Sequence, residues 1–258
     1  MRKILFTIMC MLGAVSLSYT QNPRTSIYST LGWYNVFGTL ALNEKWALHA
    51  EYQWRRDNLI TDWQQSVLKT GVQYTPIKGV QCRLAYAWVE TYPYGDIPIN
   101  AMGKVFTEHR IYESLALGHA AGRFEFSHRY MLEQRFVGRY TDATLTKEDT
   151  ASFVHRFRYM AKVQMPLKGT SIADKTPYVA LYDEVFIGFG EQVQQNVFDQ
   201  NRLGVLLGYK FNGHFRAEAG YFNQTLQFGR LIDDKQVYQH NNGVIVNLVF
   251  NMQLDAAH

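Results

Sequence analysis

The sequence predicts an all-β fold, a transmembrane antiparallel up-and-down β-barrel of about 12 strands (about 10 to 12) with a charged lumen. Three observations carry this reading. From Arg123 to Phe136 two chemistries alternate without a break. Phe124, Phe126, His128, Tyr130, Leu132, Gln134 and Phe136 fall on one side, and Arg123, Glu125, Ser127, Arg129, Met131, Glu133 and Arg135 on the other. A period of two is a β-strand. The stretch is far longer than a soluble strand of about five or six residues, and a tilted strand crosses a bilayer in about nine to eleven. The second observation is that Phe153 to Met165 repeats the design: Phe153, His155, Phe157, Tyr159, Ala161 and Val163 oppose Arg156, Arg158, Lys162 and Gln164. Third, beyond the N-terminus no apolar run approaches the roughly 18 residues of a spanning helix. Only helices and closed barrels satisfy every backbone group in lipid, so a membrane protein with this sequence is a barrel.

Taken in order, Met1 to Thr20 reads as a secretory signal peptide, with Arg2 and Lys3 before an apolar core and cleavage near Gln21; residues 21–258 form one barrel domain. Ile27 to Ala41 is strand-like but alternates poorly. Lys45 to Arg55 sets Trp46, Leu48, Ala50, Tyr52 and Trp54 against Lys45, His49, Glu51, Gln53 and Arg55. Trp63 to Thr75 turns Leu68, Thr70, Val72 and Tyr74 outward and Lys69 inward. Val80 to Val89 has Val80, Cys82, Leu84, Tyr86 and Trp88 opposite Gln81 and Arg83. In Phe106 to Leu117 the polar His109 and Glu113 share a face with Ile111, Leu115 and Leu117, which suggests a bulge. Tyr178 to Phe189, Arg202 to Phe211, Phe215 to Gln224 and Gly243 to Met252 complete the set, eleven in all. Because bacterial single-chain barrels have even numbers, a twelfth strand is expected near residues 21–33. Short connections at 42–44, 76–79, 118–122 and 212–214 alternate with longer ones at 92–104, 138–150, 190–200 and 228–241. Such barrels keep short turns on the periplasmic side.

Of the 258 residues 47% are hydrophobic and 15% aromatic, which excludes disorder. The formal charge of +4 falls by two with Arg2 and Lys3, and the basic residues are strung along strand faces, unlike the cluster of a nucleic-acid reader. The mature chain keeps only Cys82, so no internal disulfide forms. No cofactor or metal is expected; His49 with Glu51 supplies too few ligands.

The chain resembles an uncharacterised outer-membrane barrel family, domain-of-unknown-function family 2490. The resemblance rests on Lys45-Trp46 with Glu51-Tyr52-Gln53-Trp54-Arg55, on Ala85-Tyr86-Ala87, on Glu108-His109-Arg110-Ile111-Tyr112-Glu113 and on His128 through Phe136. Arg156-Phe157-Arg158-Tyr159, Tyr182-Asp183-Glu184-Val185-Phe186 and Asp199-Gln200-Asn201-Arg202-Leu203 add to it. It implies a Gram-negative outer-membrane location and no settled activity. One departure is the tail after Phe250, where such chains often finish on an aromatic residue.

The inward charges are the main functional signal. Lys45, Arg55, Lys69, Arg83, Arg129, Arg135, Arg156, Arg158, Lys162, Arg202, Lys210 and Arg216 face Glu51, Glu125, Glu133, Glu184 and Glu218, with Glu133 and Glu125 the candidate cross-strand partners of Arg156. Three functions fit. One is a narrow anion-preferring pore or anion-binding lumen, since arginine offers a fixed fork to carboxylate and phosphate. Another is a structural barrel plugged by its own Arg/Glu pairs, because at about eight strands side chains fill the interior. The last is a lipid-modifying enzyme using outward His128 or His155, although Ser127 points inward. The lipid-facing aromatic girdle comprises Trp46, Tyr52, Trp54, Tyr86, Trp88, Phe124, Tyr130, Phe136, Phe157, Tyr159 and Tyr209. Outer-membrane lipid and small anions are the implied partners. The loop Tyr92-Pro93-Tyr94-Gly95-Asp96 is either turn chemistry or a surface for a partner.

Overall fold

The computed structural model describes residues 23–254; the signal-peptide reading of residues 1–20 lies outside them. Eleven strands follow one another: β1 (Arg24–Ala41), β2 (Trp46–Asp57), β3 (Asp62–Ile77), β4 (Val80–Thr91), β5 (Phe106–Ala121), β6 (Phe124–Arg139), β7 (Thr150–Pro166), β8 (Thr176–Phe189), β9 (Phe198–Lys210), β10 (Phe215–Ile232) and β11 (Lys235–Gln253). Each pairs antiparallel with its neighbour in sequence, and β1 closes the barrel against β11. The expected twelfth strand is absent among the described residues, since residues 24–41 form a single strand. With an odd number, one pair must run parallel, and β1 and β11 do so along all 18 residues of β1.

Following the register from Ala41 through Ala47, Gln73, Arg83, Ser114, Met131, Arg158, Phe186, Gln200, Leu226 and Gln239 returns to β1 at Ile27, fourteen residues away. All these residues share the inner face. Such a stagger tilts the strands by about 40°.

Connections at one end are short: 42–45, 78–79, 122–123 and 211–214, with nine residues at 167–175. Asn43 and Asn212 build two of these turns alike, each Oδ1 accepting two backbone N–H groups, from Lys45 and Trp46 and from His214 and Phe215. Lys45 thus lies in a turn and does not point into the lumen. The other end carries the loops 92–105, 140–149 and 190–197. The long loop expected at 228–241 is instead strand on both sides of Asp233 and Asp234, whose positive φ angles of 48° and 58° suit a tight two-residue hairpin. The register of β5 runs unbroken against β4 and β6, so no bulge is needed. His109 and Glu113 do face outward, where Tyr86 Oη meets His109 Nδ1 and Gln134 Nε2 donates to Glu113 Oε2 at 3.2 Å.

Candidate functional site

Alternation aims one residue in two into the barrel, and the inner set is where polar chemistry collects. Apart from Lys45, the expected inward charges stand at inner-face positions, and four carboxylates organise them. Glu133 of β6 accepts from Arg156 Nε at 2.6 Å and Arg158 Nη1 at 2.7 Å, both on β7. Arg156 also reaches Asp199 Oδ2 on β9 at 2.7 Å. Glu184 of β8 accepts from Arg158 Nη2 at 2.7 Å and Arg129 Nη2 at 2.8 Å. Glu108 of β5 takes a bidentate Arg110, at 2.7 and 2.8 Å, and also Arg135. Two aromatic rings complete the layer. Arg55 and Arg202 sit 4.4 and 4.9 Å from the Trp33 ring centroid, and Arg202 and Arg158 sit 4.6 and 4.3 Å from that of Phe186. Cation, ring and cation therefore alternate across the lumen. Arg156, Glu133 and Phe186 are at most 3% exposed, so the centre of this belt is dry.

The belt divides the interior into two cavities that share Arg55, Arg110 and Arg202 in their walls. The cavity toward the long-loop end, about 260 Å³, lies under loops 92–105 and 190–197. Tyr94 and Val193 are buried there. Tyr94 Oη takes a contact from Asn241 Nδ2 at 3.4 Å, and burial pushes its phenol pKa up. The Tyr92 to Asp96 stretch thus turns its central tyrosine into the barrel. The larger chamber, about 570 Å³, opens toward the short-turn end, where Gln81 and Asn251 are exposed. Nine cationic side chains line it against the three carboxylates Glu51, Glu184 and Glu218. Lys69 pairs with Glu51 at 2.8 Å and Lys162 with Glu218 at 2.9 Å. Among the described residues Arg55, Arg83, Arg202 and Arg216 form no ion pair. The Nε groups of Arg55, Arg83, Arg129 and Arg216 are buried without a hydrogen-bond acceptor. Such a lining gives the chamber a positive potential.

Of the two carboxylates expected near Arg156, Glu133 pairs with it, whereas Glu125 lies near the short-turn end and accepts from the Ile172 backbone at 3.4 Å. Sequence reasoning missed Glu108, Arg110, Asp199, Trp33 and Phe186. The first two follow from the parity of β5 once its polar outer face is accepted. Asp199 turns inward only because the register of β8 and β9 shifts between Phe186 and Ile187.

All eleven girdle residues point outward. Trp46, Phe124 and Tyr209 lie by the short turns, Trp54, Trp88 and Phe136 toward the loops, and the other five between. His128 meets Tyr159 Oη at 2.8 Å, His155 packs between Phe153 and Phe189, and Ser127 faces the chamber on the opposite side of the wall.

A family model described as a protein of unknown function (DUF2490) matches residues 30–231, a span that holds every segment named for the resemblance. No curated protein and no solved structure matches the chain.

Proposed function

We propose that this chain, which belongs to the DUF2490 family of proteins of unknown function, is an outer-membrane barrel whose lumen binds anions and is closed at mid-height. The location is supported by the closed hydrogen-bond ladder, the apolar outer face with aromatics at both ends, and the leader-like N-terminus. Under the rule that short turns face the periplasm, the large chamber opens to the periplasm. The observation that carries anion binding is the excess of nine cations over three carboxylates in that chamber, four of the cations forming no ion pair among the described residues. The dry belt favours a binding lumen over an open pore. Its buried ion pairs would have to part before a hydrated ion crossed, and breaking such a pair costs about 3–5 kcal/mol.

The test has two arms. In planar bilayers the refolded protein passes no steady current. In vesicles at constant ionic strength, sulfate raises its unfolding free energy, by about 2.7 kcal/mol at about a hundred times the dissociation constant, and Arg83→Gln with Arg216→Gln removes most of that rise. A steady cation-selective current, or stability indifferent to sulfate, overturns the proposal.

A further inference from the structure

The large chamber is not cationic all round. Arg83 of β4, Arg129 of β6 and Lys162 of β7 stand on one side, with the small Ser114, Ala116 and Ser127 between and around them. The other side, built by β9, β10, β11 and β1, carries Arg202, Arg216 and Glu218 as well, and sets among them the apolar Leu206, Ile245, Val249, Trp33 and Phe37. In the closed ring of eleven strands, β1 and β11 lie across the lumen from β6. Trp33, Leu206 and Ile245 are themselves packed into a buried cluster with Phe222, Trp33 stacking on Phe222 at 3.9 Å between ring centroids. Phe37 and Val249 are only half-buried and face the chamber. They stay outside the packed cluster and border about 570 Å³ of space. That volume falls within the range of about 300–1,000 Å³ for small-molecule sites and far exceeds what an inorganic anion fills.

We infer that the chamber takes an amphiphilic anion: a carboxylate, sulfonate or phosphate head on a compact apolar body. This rests on the anion-binding reading above. The head is held by the Arg83 and Arg129 guanidinium groups, which face the chamber, and the small side chains beside them let it approach. The body lies against Phe37 and Val249, where it removes exposed apolar surface from water. A neutral apolar molecule leaves the guanidinium donors unmet, and a bare anion leaves the apolar wall wet.

The experiment is equilibrium dialysis of the protein in nanodiscs, with protein-free nanodiscs subtracting partition into lipid. The probes are 1-naphthoate, sulfate and neutral 1-naphthalenemethanol. 1-Naphthoate is expected to bind at least about tenfold more tightly than either of the others. Arg83→Gln weakens both 1-naphthoate and sulfate. Phe37→Ala, or Val249→Ser should the first variant fold poorly, weakens 1-naphthoate alone by about tenfold. Folding of each variant is checked by its gel mobility with and without boiling. Sulfate binding as tightly as 1-naphthoate, with both unmoved by the apolar variants, overturns the amphiphile while leaving the anion reading intact. The alcohol binding as tightly as the naphthoate overturns it in the other direction, and binding of none of the three removes both proposals.

Discussion

Replacing Arg156 by glutamine is expected to destabilise the barrel by about 3 kcal/mol. Its guanidinium is 3% exposed and joins Glu133 at 2.6 Å to Asp199 at 2.7 Å, bridging β6, β7 and β9. Removing the cation leaves two buried carboxylates short of a partner, and broken buried pairs cost about 3–5 kcal/mol. The low end applies because Arg158 still donates to Glu133 at 2.7 Å and Arg135 remains 3.9 Å from Asp199. The neighbouring Phe157 is 39% exposed on the outer face, and Phe157→Arg places a charge in hydrocarbon at about 2–4 kcal/mol. A wet lumen would tolerate Arg156→Gln, whereas a dry belt makes both substitutions costly. Adding Glu133→Gln to Arg156→Gln should cost less than the two singles together, with a coupling of about 1–3 kcal/mol, because each removes the other's unmatched charge. Arg216→Gln, at a residue with no ion pair, serves as the control within about 0.5 kcal/mol of wild type. The assay is reversible urea unfolding in lipid vesicles, followed by tryptophan fluorescence. An Arg156→Gln variant as stable as the Arg216→Gln control, with strictly additive effects in the double, would refute the dry belt.

Three further outcomes follow from the fold. Because β1 and β11 run parallel, Arg24 lies at the long-loop end and Gln253 at the short-turn end; an epitope inserted before Arg24 should be labelled on intact cells and one after Gln253 only once the outer membrane is opened. Tyr182 covers Gly204 on the adjacent strand so closely that a Cβ there would strike the ring, so Gly204→Ala should cost about 1–3 kcal/mol in the same unfolding assay. Gly213→Ala, where a methyl meets nothing within 4 Å, should be neutral. In loop 140–149, hydrogen bonds from Thr144 and Thr141 hold the Asp142 and Asp149 carboxyls below their usual pKa; a lowered folded-state pKa stabilises above the ordinary carboxylate value and is lost as pH falls through the folded one, so the protection of this loop's amides, as exchange rates divided by the intrinsic rate at each pH, should fall in acid and be unchanged from neutral to mildly alkaline pH.

The sequence was legible wherever one face was polar and the other apolar. In β2, β4, β6, β7 and β9 the alternation assigned each named side chain to the face it occupies, apart from Lys45 at the margin of β2. It failed in β1 for a physical reason. Leu31, Trp33 and Phe37 point inward there while Tyr34, Val36 and Leu40 point outward, so both faces are apolar and the period disappears. The poor alternation was the trace of the apolar lumen wall. In β5 the opposite happened, since His109 and Glu113 put polarity on the outer face. The stretch 228–241 looks like a loop because Gln239 and Asn241 face the lumen while His240 and Asn242 stand on the other face, which leaves both faces polar. Strand number was legible, since eleven segments stand in the sequence and eleven strands form; the rule of even-numbered bacterial barrels added a twelfth. The parallel closure of β1 on β11 is a pairing between chain ends that no local pattern encodes.

The belt and the chamber obey different electrostatic logic, and the contrast says what an anion would do. In the belt Arg156 and Arg158 share Glu133, so the cost of desolvation is offset by short ion pairs on every side. In the chamber Arg83 donates to the neutral Gln73 at 2.8 Å, and Arg216 has no carboxylate within ion-pair distance. Cations that share a chamber of low dielectric repel one another. That repulsion serves no packing purpose, because glutamine or serine would satisfy the same lumen. An anion placed between Arg83 and Arg129 turns it into attraction. Occupancy and stability are therefore linked, and the occupied barrel should resist unfolding more than the empty one.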